Sequence, residues 1–301
     1  MKKTNLGIDK IYTINLPERK DRKEKFIERF STLDFSFVEA VRGEDIKIPK
    51  LIKKGIVSKQ FLDPGGSINK WIVACALSHI KVWEEFKSSK KNTCLVFEDD
   101  VVISRDINKN ITETITEENK VIARPTQYWN ELFYQIQDLD WDIIFLGKKE
   151  RYVDGTSVNK LQPQESPLFC IPFWSSGLWG AHSYMINKKS VTKLLKKYRP
   201  IEYAVDVFLD LCNNSNLRDM KVFALKESLF RQETDIYIHD KNDWIAKLDS
   251  DTLHNRDGLK KFTTVKVDET VDSIEFINYP SSSEYTGEMR WPPLIRAKFR
   301  L

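Results

Sequence analysis

The chain has 301 residues, enough for one large α/β domain or two small ones, and its 41% hydrophobic and 31% charged content is an ordinary globular balance. Lys and Arg exceed Asp and Glu by 48 − 44 = 4, too few to argue for nucleic acid, and the aromatics are not interleaved with a basic patch. That surplus suits an anionic small molecule or a weakly attractive membrane surface.

The N-terminus, MKKTNLGIDKIYTINL, has an apolar part broken by Asp9 and Lys10 and shows no signal-peptide pattern. No window approaches the roughly 18 apolar residues of a membrane span. Cys75, Cys94, Cys170 and Cys212 are scattered among apolar neighbours without zinc-type spacing. The expectation is reduced, buried thiols in a cytoplasmic protein, with a lumenal setting left open.

Along the chain, Ile11 to Leu16 predicts a strand stopped by Pro17. Arg19 to Phe30 predicts an amphipathic helix with Phe26, Ile27 and Phe30 on its buried side. Phe35 to Val41 predicts a second strand, completing a β–α–β opening common in nucleotide-handling α/β domains. Pro64, Gly65 and Gly66 mark a loop over 55–68. Trp71, Ala74, Leu77, Ser78 and Val82 recur at helical spacing, predicting a helix from Trp71 to Phe86. Thr93 to Phe97 is a continuous apolar strand fit for the buried centre of a sheet.

Residues 104–123 read as a polar surface insertion. A helix over Trp129 to Leu139 and a buried strand over Asp142 to Leu146, stopped by Gly147, follow. Residues 151–168 are irregular. Helices are expected over Lys188 to Tyr198 and Val205 to Cys212, then a strand over Val222 to Leu225. Periodicity weakens after Asp235, so the expected division is a main domain at 1–240 and an extension packed on it at 241–301.

Four groups of residues could carry chemistry. Glu98, Asp99 and Asp100 end an apolar strand, either as a solvated turn or as a cation site. In an extended segment, residues i and i+2 point the same way, so Glu98 and Asp100 can face one site. Ser78 and His79 share a helix with Trp83, with His79 either a satisfied core residue or a functional one. Asn15 follows the first strand, and Arg19 and Arg22 open the next helix, where guanidinium groups suit a pyrophosphate. Asp206, in an apolar context, is either structural or a general base.

Seven blocks occur in order: IYTINLPERKDR, CALSHIKVWEEF, CLVFEDDV, DWDIIFLGKK, SYMINKKSVTKLL, AVDVFLD and DSDT. Together they make the chain resemble glycosyltransferase family 25, which includes bacterial lipooligosaccharide and animal collagen galactosyltransferases. The match runs over residues 9–254, nearer the collagen branch. The resemblance implies an α/β, A-type glycosyltransferase fold, a Rossmann-like mixed sheet flanked by helices. It implies a UDP-sugar donor, carrying galactose or glucose, and a protein or glycan acceptor hydroxyl such as hydroxylysine of a collagen-like chain. It also implies Mn²⁺ or Mg²⁺ as cofactor and inversion at the anomeric carbon.

In the same terms Asp206 would be the general base, and Asp100 and Glu98 would hold the metal, with His239 as a further ligand. Asp99, Asn15, Arg19 and Arg22 would stand on the nucleotide side, and Ser78 and His79 would line the donor pocket. The chain departs from the family pattern where glycines and a glutamate precede the Ser-His helix: it reads Trp71-Ile72-Val73-Ala74-Cys75. It also carries His182 in place of a small or apolar residue, and Ala204 where the family has proline. A non-catalytic UDP-sugar or glycan-binding module is the alternative.

Overall fold

The computed structural model describes residues 1–59, 61, 69–104, 111–118, 120–137, 139–147, 180–212, 220–225 and 228–233. Beyond these it gives the backbone pairing of short strands between 152 and 171 and between 244 and 299. The chain divides into two compact units, Met1–Glu233 and Thr234–Leu301.

The first unit begins with β1 (Lys10–Asn15), α1 (Lys20–Arg29), β2 (Ser36–Glu39), α2 (Ile48–Lys53) and α3 (Lys70–Ser88). Then come β3 (Thr93–Glu98), β4 (Val101–Ile103), β5 (Thr112–Glu117), β6 (Lys120–Pro125), α4 (Gln127–Gln137) and β7 (Ile143–Phe145). The short strands β8 (Tyr152–Val153), β9 (Thr156–Ser157), β10 (Gln162–Pro163) and β11 (Phe169–Ile171) precede β12 (Ser183–Asn187). The unit closes with α5 (Lys188–Lys197), α6 (Val205–Leu211), β13 (Val222–Leu225) and β14 (Phe230–Gln232). In the second unit, β15 (Trp244–Ile245) pairs with β16 (Lys266–Val267), and β17 (Val271–Ile277) with β18 (Leu294–Phe299), both antiparallel.

Eight strands form the main sheet in the order β10-β11-β13-β7-β12-β3-β1-β2. β1 lies parallel between β2 and β3, and β7 lies parallel to β13. β12 sits antiparallel between β3 and β7. The sheet is therefore mixed but mostly parallel at its centre, with helices on both faces.

Its central strands β3, β7, β12 and β13 are buried almost throughout because both faces are covered. Successive residues alternate between two cores. Tyr12, Val96, Tyr184, Phe145 and Val222 enter one core with α3, α5 and α6. Ile11, Phe97, Met185, Ile144 and Phe223 enter the other with α1 and α4. Trp83 of α3 and Trp129 of α4 anchor the two sides, each fully buried. Truncating a buried side chain of that size costs about 3–5 kcal/mol.

The helices follow local signals. Asn69 caps α3 by accepting from the Trp71 backbone N–H at 2.9 Å. Asn187 and Ser190 form a reciprocal capping box on α5. In α1, Phe26 and Phe30 are buried as expected, but Ile27 is 42% exposed. The buried stripe of α1 runs instead through Arg22 and Phe26, four residues apart, so Ile27 lies off that face. The stretch read as a polar insertion contains a regular hairpin, β5–β6. Among the described residues no helix is long and apolar enough to cross a membrane.

Candidate functional site

The parallel strands end along one edge of the sheet. Asn15 closes β1 and Glu98 closes β3, and Ile14 lies beside Glu98. Because β12 runs the opposite way, its first residue, Ser183, stands at that same edge, opposite Phe97. β7 also finishes there, with Phe145 opposite Tyr184. Strand carboxyl ends next to a change of strand direction form the crevice where open α/β sheets place ligands.

The three acids divide here into different jobs. Glu98 is the last residue of its strand, while Asp99 and Asp100 form a turn into β4. The alternation expected of an extended segment therefore stops at Glu98, and the turn itself brings Asp100 round to it. Gln232 of β14 spans the pair: its Nε2 donates to Glu98 Oε2 at 3.0 Å and stands 3.5 Å from both oxygens of Asp100.

Asp99 points the other way, into the protein. Asn15 Nδ2 donates to Asp99 Oδ2 at 2.7 Å, and Arg22 Nη1 to Asp99 Oδ1 at 3.1 Å. Burial pushes the Asp99 carboxyl above the ordinary aspartate value, and the Arg22 charge and Asn15 hydrogen bond oppose that shift. Arg22, 7% exposed, also lies 3.8 Å from Asp100 Oδ2. Arg19, at the start of α1, pairs instead with Asp21 at 3.0 Å.

Helix α3 presents a second set of groups to Glu98. His79 Nε2 is 3.3 Å from Glu98 Oε1, and His79 Nδ1 is 2.8 Å from Tyr184 Oη. Trp83 Nε1 donates to the same Tyr184 oxygen at 2.8 Å. A carboxylate only accepts, which assigns the ring proton of His79 to Nε2 and leaves Nδ1 to accept the Tyr184 hydroxyl proton. Ser78 faces the sheet's other neighbour: its hydroxyl accepts from the Val41 N–H at 2.8 Å and donates to the Ala74 carbonyl at 2.8 Å. Ser78 therefore ties α3 to the segment after β2.

Asp206 lies in the first turn of α6, half-buried. Desolvation pushes its carboxyl up; hydrogen bonds from the Val207 and Gly180 backbone oppose this, and the charge of Glu98 adds to it. Cys75, one turn before His79, is half-buried and feels Glu98, Asp206 and Asp100 together, which with burial push its thiol up. Cys75 and His79 of α3 both face Glu98 at the end of β3, with one ligand atom from each of the three within 4.8 Å of the others. His182 is fully buried beside this edge, with Nε2 3.3 Å from the Phe230 carbonyl. Gly147 allows it there, since a Cβ at 147 would stand 2.3 Å from that nitrogen. His239 lies outside the described residues. A separate open groove of about 890 Å³, lined by Glu113, Arg124, Glu131 and Tyr134 among others, includes none of these groups.

Two participants escape a reading of the sequence: Gln232 and Cys75. Gln232 comes from a three-residue strand after an irregular stretch, and no spacing flags it. Cys75 had a signal, since it stands four residues before His79 and so shares its helix face.

The family model described as "Glycosyltransferase family 25 (LPS biosynthesis protein)" matches residues 8–209. Among curated proteins, the chain is 24% identical over 235 residues to "Procollagen galactosyltransferase 1-B" of Xenopus laevis, covering 74% of this chain and 36% of that protein. It is 27% identical over 241 residues to "Procollagen galactosyltransferase 2" of Mus musculus, covering 74% and 35%. It is also 28% identical over 152 residues to "Inactive glycosyltransferase 25 family member 3" of Homo sapiens, covering 49% and 23%. The chain spans about a third of the length of the first of these relatives. The site residues Asn15 to Asp206 all fall within the matched segment, and the chain belongs to glycosyltransferase family 25.

Proposed function

We propose that the chain is an inverting hexosyltransferase that moves galactose, or alternatively glucose, from a UDP-sugar to an acceptor hydroxyl. The observation that carries this reading is the pair of carboxylates, Glu98 and Asp100, brought together at the carboxyl end of β3 and spanned by Gln232, within a chain of glycosyltransferase family 25. The names of the procollagen relatives favour galactose as the sugar and a collagen-like chain as the acceptor; within this reading the acceptor hydroxyl is that of hydroxylysine or of a glycan. The A-type fold is part of the same reading, and the antiparallel β12 between β3 and β7 supports it.

In this reading Asp206 accepts the proton of the acceptor hydroxyl as that oxygen attacks the anomeric carbon. Inversion by one displacement needs such a base opposite the leaving group, worth roughly 100- to 10,000-fold. Half-buried and pushed up, Asp206 is a better proton acceptor than a solvated aspartate. Asp99, Asn15 and Arg22 hold one another, so they set the position of Asp100 and Glu98 rather than meeting the nucleotide directly. Arg19, whose carbonyl accepts from Asn15 Nδ2 at 3.2 Å, is assigned to the nucleotide side in this reading.

The oxygen pair Glu98 and Asp100 fits a hard divalent ion, because a single amide group already bridges their oxygens in the space between them. Glu98 and Asp100 would hold Mn²⁺ or Mg²⁺, which supplies charge neutralisation to the departing diphosphate. Asp99 is not a ligand in this scheme, because its carboxylate is turned into the protein toward Asn15 and Arg22 rather than toward Gln232.

A second reading is a non-catalytic UDP-sugar or glycan-binding module, favoured by the relative named inactive. UDP release over a panel of UDP-sugars, with and without a hydroxylysine-containing collagen-like peptide, separates the two. The transferase reading expects release with one hexose donor, stimulated by acceptor. Calorimetric binding of UDP with no release from any donor would overturn it in favour of the second.

A further inference from the structure

Cys75, His79 and Glu98 make a constellation that the proposed transfer does not use as a unit. One ligand atom from each lies within 4.8 Å of the other two. The first two stand four residues apart on one face of α3, and the third closes the neighbouring strand β3. Sulfur, imidazole nitrogen and carboxylate oxygen together do not suit Mg²⁺ or Mn²⁺, which prefer all-oxygen sites. They match the three-ligand sets that hold Zn²⁺ with a fourth position open.

The groups behind these ligands are also in place. Tyr184 Oη stands 2.8 Å from the far nitrogen of His79 and is itself fixed by Trp83 at 2.8 Å. Gln232 holds the far oxygen of Glu98 at 3.0 Å. Partners of this kind orient metal ligands and set their basicity. The nearby charges of Asp100 and Asp206, which act on Cys75, further favour a cation.

We propose that Cys75, His79 and Glu98 form a second metal station, selective for thiolate-accepting ions such as Zn²⁺, sharing Glu98 with the oxygen pair Glu98–Asp100. On binding, the Cys75 thiol proton leaves to solvent and sulfur bonds the ion as thiolate. The His79 ring proton, on Nε2 in the metal-free chain, moves to Nδ1, which then donates to Tyr184 Oη, and the freed Nε2 lone pair bonds the ion. Occupancy draws Glu98 away from Asp100. If the chain is a transferase, Zn²⁺ therefore inhibits it; that consequence rests on the function proposed above, whereas the binding does not.

The test is a titration of the full chain with Co²⁺, without donor or acceptor, so its outcome is independent of any transferase activity. The expected result is a near-ultraviolet thiolate-to-cobalt band saturating at one equivalent and removed by Zn²⁺. Cys75→Ser should abolish it, and Tyr184→Phe should weaken binding about 10- to 100-fold. In the unmodified chain, Zn²⁺ should slow alkylation of Cys75, followed by peptide mass spectrometry. Absence of the band, its survival in Cys75→Ser, or alkylation of Cys75 at an unchanged rate would each overturn the proposal.

Discussion

Asp99 and Asp206 are both acids inside the protein, and the geometry gives them opposite consequences on removal. Asp99 neutralises Arg22, which is 7% exposed. Asp99→Ala removes the carboxylate nearest the buried Arg22 guanidinium, and breaking such a buried pair costs about 3–5 kcal/mol. Urea unfolding should register that loss, and a double variant that also replaces Arg22 with Met should recover part of it. Among the described residues Asp206 pairs with no cation, and its carboxylate accepts from backbone N–H groups instead. Asp206→Asn should leave unfolding within about 1 kcal/mol of the wild type. Its UDP binding should persist while turnover falls about 100- to 10,000-fold; unchanged turnover would remove Asp206 from the chemistry.

Much of this division was hidden in the sequence. The triplet Glu98-Asp99-Asp100 announced an acidic site, but its neighbours could not be read from it. Which acid meets Arg22 and which meets Gln232 depends on a turn, and on strands more than a hundred residues apart in the case of Gln232. Ser78 and His79 look alike as polar residues on an apolar helix, yet one ties backbone to helix and the other reaches Glu98.

At the scale of elements, β1 and β3 are locked together at their starts by Asp9. Its carboxylate accepts from the Asn92 and Thr93 backbone N–H groups at 2.8 and 3.1 Å. These hydrogen bonds, that from Asn92 foremost, hold the Asp9 carboxyl below its ordinary value of 3.8. A depressed folded pKa means that stability is present above the unfolded value and is lost as pH falls through the folded one. Asp9→Asn should therefore cost about 1 kcal/mol at pH near 7, reduced by solvent screening, and the gap should shrink toward zero as pH falls below the ordinary value. Urea unfolding of both proteins across that range checks this; a gap that does not change with pH would contradict it.

The central strands and α3, α5 and α6 were legible because continuous apolar runs and helical spacing are local signals. The direction of β12 was not, since nothing within SYMIN distinguishes a parallel partner from an antiparallel one. The β5–β6 hairpin is hard to see in the sequence because β5 is Thr- and Glu-rich. The tight link after Glu117 turns with Glu118 at φ 46°, as two-residue hairpin connections require, a conformation that a glutamate does not announce. Ile27 was misplaced by a residue's worth of helical phase, which a short helix with few apolar positions fixes poorly.

On the scale of the whole molecule, the family match covers the first unit up to residue 209, and that unit contains every described residue of the proposed chemistry. The procollagen relatives are far longer than this chain, so the activity of this segment has to be measured on the segment itself. The measurement that bears most directly on the account is UDP release from UDP-galactose, run with Mn²⁺, with a chelator, and with Asp100→Ala. The account predicts turnover that Mn²⁺ supports, that the chelator abolishes and re-added Mn²⁺ restores, and that Asp100→Ala largely loses. Full turnover by Asp100→Ala in the presence of the chelator would contradict it.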